Sequence, residues 1–174
     1  MSSAATMPPM EDIFAFLTAH DIPYERADHP AVFTCEQARQ FVPPLPGLSV
    51  KNLFLRDERG DQHFLVIVST EKSVDLKALS KAIGAKKLSF ASPERLKKYL
   101  GIEPGSVSLL ALVHDRDHAV ALVLDTEAAQ AEALHCHPLV NTSTLVIRRD
   151  GIERFLRATG HVPRVVAVPS RLAP

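Results

Sequence analysis

The chain has 174 residues, a formal net charge of zero, 46% hydrophobic and 23% charged residues. That is enough for one globular domain to bury roughly two-thirds of its unfolded surface without disulfides or metals, and the balance excludes a disordered tail, a coiled coil and a collagen-like repeat. The longest apolar runs, such as Val107 to Val113, fall well short of the roughly 20 residues a membrane helix needs, the first residues carry no basic cluster of a signal peptide, and Cys35 and Cys136 stand alone, so a cytoplasmic protein with no membrane contact is expected.

Residues 1–10 read as a flexible N-terminus. Met10, Ile13, Phe14 and Leu17 then repeat at helical spacing, and Asp21-Ile22-Pro23 ends that helix before an extended piece at Tyr24 to Arg26. Thr34 followed by Gln37 has the form of a capping box, which predicts a helix over 35–41, closed by Pro43-Pro44-Leu45-Pro46-Gly47. Val50 to Arg56 and His63 to Ser69 read as a hairpin around Asp57-Glu58-Arg59-Gly60-Asp61. Leu76, Leu79 and Ile83 mark a helix stopped by Gly84, and Ser92-Pro93-Glu94 opens another that Gly101 closes. Val107 to Val113 and Ala119 to Leu124 are expected to form a second hairpin about Asp115-Arg116-Asp117. A short helix after Thr126, an extended piece from Leu134 to His137, a strand from Thr144 to Arg148, a helix through Ile152, Phe155 and Leu156 ended by Gly160, and a strand from Arg164 to Val168 complete the order. Helices and hairpins are mixed without regular alternation, which predicts a single α+β domain with a mixed, largely antiparallel, curled sheet flanked by helices.

The charge is unevenly spread. Residues 1–36 hold six acids and one base, residues 72–98 eight bases and two acids, and residues 148–171 six arginines and two acids. Bases grouped in this way suit a phosphate backbone, and they equally suit the solvated side of an amphipathic helix.

There is no phosphate-binding glycine loop, dinucleotide fingerprint, nucleophile elbow or zinc-type spacing. His135-Cys136-His137 in an extended segment alternates faces and cannot easily converge on one ion, so no metal is expected. Lys51 and Asn52 are the unusual residues of an otherwise apolar strand. Alternation puts Lys51 with Leu53 and Leu55, and Asn52 with Phe54. Lys51 is read either as a side chain snorkelling from a strand end or as a cation at a pocket edge. His137-Pro138-Leu139-Val140-Asn141-Thr142 offers a histidine of near-neutral pKa and a polar turn, with a self-satisfied loop corner as the plainer alternative.

His29-Pro30-Ala31-Val32-Phe33-Thr34, Lys51-Asn52-Leu53-Phe54-Leu55, Gly101-Ile102-Glu103-Pro104-Gly105-Ser106-Val107-Ser108 and His137-Pro138-Leu139-Val140-Asn141-Thr142 appear in that order. Together they resemble the aminoacyl-tRNA editing superfamily, which includes the insertion domain of bacterial prolyl-tRNA synthetase and the YbaK-like deacylases. The resemblance is greatest to its free-standing alanyl-prolyl branch (PrdX, or ProXp-ala). It spans nearly the whole chain and implies an editing domain over 11–169, with a mixed fold and a curled sheet. It also implies hydrolysis of alanine mischarged onto proline tRNA, without a cofactor and with help from the substrate's own 2′-hydroxyl. A deacylase for mischarged Cys or Ser, or a non-catalytic tRNA-binding module, are the alternatives. By position, the resemblance makes Lys51, Asn52 and His137 the catalytic group. Thr34, Gly105, Ser106, Val107, Ser108, Pro138, Asn141 and Thr142 would contact the substrate. The implied partners are the acceptor end of a mischarged tRNA and prolyl-tRNA synthetase. Leu109 replaces the proline of the family's Gly-x-x-x-Pro loop.

Overall fold

The computed structural model describes residues 10–31, 34, 36–37, 40 and 44–171. In chain order the described elements are α1 (Met10–Ala19), β1 (Glu25–Asp28), β2 (Val50–Arg56), β3 (His63–Ser69), α2 (Leu76–Ile83), β4 (Ser89–Phe90) and α3 (Pro93–Leu100). A 3-10 helix (Leu109–His114), β5 (Val120–Asp125), α4 (Thr126–Gln130), β6 (Ala133–Cys136), β7 (Ser143–Arg148), α5 (Arg149–Thr159) and β8 (Arg164–Val166) follow. Of the helix expected over 35–41, residues 36, 37 and 40 are helical; the rest, and the residues before Met10, lie outside the described residues.

The strands form a five-stranded sheet, β4-β2-β3-β5-β8, and a three-stranded one, β1-β7-β6. Pairing is antiparallel throughout the small sheet and for β2 with β3 and β4, whereas β3–β5 and β5–β8 are parallel. An isolated parallel bridge between Leu48, two residues before β2, and Leu134 of β6 brings the two sheets together where β2 begins. The α+β class and the mixed, largely antiparallel pairing are those read from the sequence.

Two expectations need correction. The run from Val107 to Val113 is not a strand: Leu109–His114 is a 3-10 helix whose N-cap, Ser108, accepts a bond from Leu110 N–H at 3.2 Å. Leu109, Leu110, Ala111 and Leu112 are all buried, and a short apolar run without alternation does not distinguish a buried strand from a buried helix. The second hairpin therefore does not form, and β5 pairs in parallel with β3 instead. β4, two residues long, was too short to leave a period-2 signal.

Every position of β3 is buried, because both faces of the five-stranded sheet are covered. On one face Phe54, Leu65, Ile67, Leu122 and Leu124 join Ile13, Leu17, Leu96, Leu100 and Phe155 in the larger core. On the other, Leu55, Val66, Val68 and Val123 meet Leu79, Ile83 and Val168. The helices begin and end as their caps dictate: Asp75 and Ser92 accept N-terminal amide protons, and Gly84, Gly101 and Gly160 take left-handed closing positions. Arg95 fixes α3 to the β2–β3 hairpin by donating to Gly60 O at 3.1 Å and to His63 Nε2 at 3.0 Å. Burial first, and then the Arg95 cation, hold the His63 imidazole below its ordinary value, so it is the neutral acceptor that this bond requires.

Two buried contacts, a lysine–aspartate ion pair and a histidine–aspartate hydrogen bond, tie the C-terminal third to this frame. Lys72 Nζ lies 2.7 Å from Asp125 Oδ2 and donates to Val168 O at 2.9 Å. His161 Nε2 donates to Asp115 Oδ2 at 2.9 Å, with side chains only 4% and 3% exposed. Asp115 also accepts from Ala119 and Val120 N–H, both at 2.9 Å, and so shapes the turn into β5. Burial alone would raise the Asp115 carboxyl, but the bonds from His161, Val120 and Ala119 outweigh it and hold the carboxyl below its usual range. Its stabilising contribution is therefore complete above the ordinary carboxylate pKa and is lost as pH falls through the depressed folded value. Asp115→Ala should lower stability by about 3–5 kcal/mol, the cost of breaking a buried pair, as read from a urea midpoint at neutral pH.

Candidate functional site

The site grows from the join between the sheets. Gly47 has φ +95, and a Cβ there would lie 2.8 Å from Ala133 O. The missing side chain lets the chain run close beside β6. Leu48 N–H donates to Ala133 O at 2.8 Å, His135 N–H donates to Leu48 O at 3.1 Å, and His135 Nε2 lies 2.9 Å from Pro46 O. The chain leaves this clamp directly into β2 and the Lys51-Asn52 pair.

Asn52 shares its face with Val50 and Phe54, which belong to the larger core. Its Oδ1 is buried with no hydrogen-bond partner. An unpaired buried carbonyl costs about 1–3 kcal/mol, and such costs concentrate where a ligand later provides the partner. Lys51 stands opposite Val68 and therefore on the other face, with Leu53 and Leu55. It is half-buried, and no hydrogen bond or ion pair with a described residue holds its ammonium.

His137 follows β6, with Nδ1 3.4 Å from Ser143 O. Burial holds its imidazole below the ordinary value; positive charge on His29 and His135 acts in the same direction, and the Ser143 carbonyl opposes it. Pro138 is buried, and Leu139 takes φ +68 while packing on the larger core. Left-handed backbone is costly for a leucine, so packing must impose it. Across the small sheet, His29 N–H donates to Thr142 O at 3.0 Å and His29 Nε2 lies 2.8 Å from Thr144 Oγ1. Ser143 Oγ donates to Asp28 Oδ1 at 2.6 Å. The residues after His137 are thus held by β1, and these supports, His29 and Asp28, are the ones sequence reasoning did not place in the site. Cross-strand pairing left no signal from which to find them.

Gly105 turns with φ +90, and Ser106 N–H donates to Glu103 O at 3.1 Å. Ser106 is buried and Val107 packs on the larger core. The Ser108 hydroxyl, fully buried, caps the 3-10 helix and is structural. Leu109 occupies the first helical position, where proline is equally at home. Thr34 is exposed and caps its helix by accepting from Gln37 N–H at 3.0 Å. Asn141 is half-buried and Thr142 exposed.

Asn52, Val107 and Leu139 thus border one core, with His137 two residues before Leu139, while Lys51 lies on the opposite face and Thr34 and Ser108 act as caps. The Cys136 thiol, pushed up to about 12 by burial, is not a nucleophile. Among the described residues no group of three His, Cys, Asp or Glu side chains is placed to hold a metal, and no helix is long and apolar enough to cross a membrane.

The family model described as aminoacyl-tRNA editing domain matches residues 29–155. The prolyl-tRNA editing protein ProX of Acetoanaerobium sticklandii is 34% identical over 160 residues, covering 92% of this chain and 98% of that protein. The prolyl-tRNA synthetase associated domain-containing protein 1 of Danio rerio is 35% identical over 159 residues, covering 90% and 86% respectively. A solved structure described as a candidate trans-editing enzyme for prolyl tRNA synthetase has a similar fold, with TM-score 0.68 and 19% identity over 95% of this chain and 100% of the other.

Two outcomes follow from the geometry. Asn52→Leu should leave the unfolding midpoint unchanged or raise it by about 1 kcal/mol in stability, since it removes an unpaired buried carbonyl; a structural asparagine would lower it. An NMR titration of the His137 ring should find its midpoint below the ordinary 6.5, with the proton taken up only as pH falls past that value.

Proposed function

The chain belongs to the aminoacyl-tRNA editing domain family, and on that premise we propose that it is a trans-editing deacylase that hydrolyses alanine mischarged onto proline tRNA. The observation that carries this reading is the pair at the start of β2, a lysine that no described residue ion-pairs beside an asparagine with an orphaned buried carbonyl. Neither stabilises the fold as it stands, and each offers what an aminoacyl ester lacks in water.

An aminoacyl-tRNA is an activated ester. Its hydrolysis needs a placed water and stabilisation of the oxyanion that forms when the water adds to the carbonyl; it does not need a protein nucleophile. In the proposed reaction the 2′-hydroxyl of the terminal adenosine helps to activate the water. Oxygen adds to the ester carbon, and the bond to the 3′-oxygen breaks to release alanine and free tRNA. Lys51 supplies positive charge to the terminal phosphate or the reacting centre. The Asn52 side-chain N–H and backbone N–H groups of the Gly105 loop serve the carbonyl, and the Asn52 carbonyl oxygen accepts a hydrogen bond from the substrate. A neutral His137, with buried Pro138, bounds the acyl pocket. Its size favours alanine, because excluding bulk discriminates more strongly than adding contact, which yields only about 10–200-fold per methylene. Half of the bases of 72–98 and 148–171, Lys77, Lys81, Lys97, Lys98, Arg149, Arg154 and Arg157, lie on exposed positions of α2, α3 and α5, where they suit a phosphate backbone.

The test is a panel of alanyl-, cysteinyl-, seryl- and prolyl-tRNA for proline. Selective loss of the alanyl ester is expected, with kcat/KM down by about 10²–10³ in Lys51→Ala, the usual scale for one oxyanion-stabilising group. Cleavage of the seryl or cysteinyl ester instead would move the substrate. Unchanged hydrolysis by Lys51→Ala would remove the lysine from the mechanism.

A further inference from the structure

On the face of the five-stranded sheet packed by α2, the cover reaches β3 and β5 through Leu79 and Ile83 and thins toward the opposite edge. Lys51 and Leu53 are half-buried there, and Phe90 is 63% exposed. Phe90 stands opposite Leu55 in the β2–β4 ladder, so its ring leaves the sheet on the face shared by Leu55, Leu53 and Lys51. Four residues separate Leu55 from Lys51, which sets Phe90 roughly 13 Å from the lysine along the strand.

The chain enters β4 through Lys86 and Lys87, both exposed and without a side-chain bond to a described residue. Glu58, whose N–H donates to Lys86 O at 2.7 Å, is the acid that approaches this edge. Lys86 and Lys87 lie in the bend just ahead of β4, where cations discourage this short edge from pairing with another chain. An exposed phenylalanine works against that protection. Among the described residues the other strongly exposed large apolar side chains are Val162 and Val165, neither an aromatic.

An aromatic that closely follows two exposed lysines, on the same face as Lys51, whose ammonium no described residue pairs, fits a single-stranded nucleic acid: the cations meet phosphates and the ring stacks on a base whatever its identity. We infer that this face is the track of the unpaired 3′ strand of the tRNA, with Phe90 stacking on one base and Lys86 and Lys87 meeting the flanking phosphates. The inference rests on the tRNA reading above and adds where the strand runs.

The experiment measures fluorescence anisotropy of uncharged proline tRNA at one fixed salt concentration, either intact or trimmed of its unpaired 3′ nucleotides. Phe90→Ala should weaken binding of the intact tRNA roughly 5- to 150-fold, the factor for loss of one base–aromatic stack, and leave the trimmed tRNA unaffected. Phe90→Trp should retain binding. Because Phe90 is largely exposed, the unfolding midpoint of Phe90→Ala should match that of the parent. Wild-type affinity of Phe90→Ala for intact tRNA would overturn the track, as would equal losses on both tRNAs. Full binding by Phe90→Leu would also overturn it, marking a merely apolar contact of the kind a protein partner or a second copy makes. Binding that depends on Phe90 in a protein that cleaves no ester would overturn the deacylase reading and leave the track standing. Selective cleavage with binding indifferent to Phe90 would do the reverse.

Discussion

The rest of the architecture depends on β3 being buried on both faces. Seven consecutive residues, His63 to Ser69, have no solvent side, so both faces of the sheet must be covered and neither helix layer is optional. β2 and β5 are fixed as its neighbours, one antiparallel and one parallel. The parallel neighbour has a consequence: the chain must travel from one end of the sheet to the other between β3 and β5, and α2, β4, α3 and the 3-10 helix are that crossing. Elements that look like separate hairpins and helices in sequence are the route imposed by one pairing.

The candidate site lies where this double cover fails. β2 is fully buried only at Phe54 and Leu55; at its start both faces open. There the sequence puts an ammonium and a carboxamide where Val or Ile would serve stability better. The left-handed Leu139 is a second local cost close to His137. A domain of this size has little stability to spare, so local costs at candidate site residues argue for use rather than accident.

Much of the fold was legible because its signals are local. Ser92-Pro93-Glu94 and the three closing glycines each act within one turn of chain, and they mark the helices correctly. Val50–Arg56 with His63–Ser69 was legible because the turn between them is short. The parallel pairing of β5 was not, since nothing in Val120–Asp125 says which strand it will meet. The run at Leu109–His114 misled for a related reason: complete burial erases the alternation that distinguishes strand from helix. In the site, Lys51 and Asn52 stood out as polar residues in an apolar strand, and alternation assigned their faces as the structure has them. The holding of Thr142 and Thr144 by His29, and of Ser143 by Asp28, joins residues more than a hundred positions apart and had no sequence signature.

The placement of Lys51 and Asn52 on opposite faces makes register the quantity on which the proposed function turns. In the proposed reaction a phosphate approaches the lysine and the acyl carbonyl approaches the asparagine, from the two sides of one strand. Slipping β2 by a single residue would exchange them, sending the lysine into the larger core and the asparagine to the opposite face. Two features oppose that slip. The alternating partners of Phe54 and Leu55 belong to different cores, so a shift would misplace both layers at once. Gly47, pressed against Ala133 O, fixes where the strand may begin, because no other residue tolerates both its backbone angle and its closeness to β6. The chemistry of two side chains is thus set by packing several residues away on either side of them.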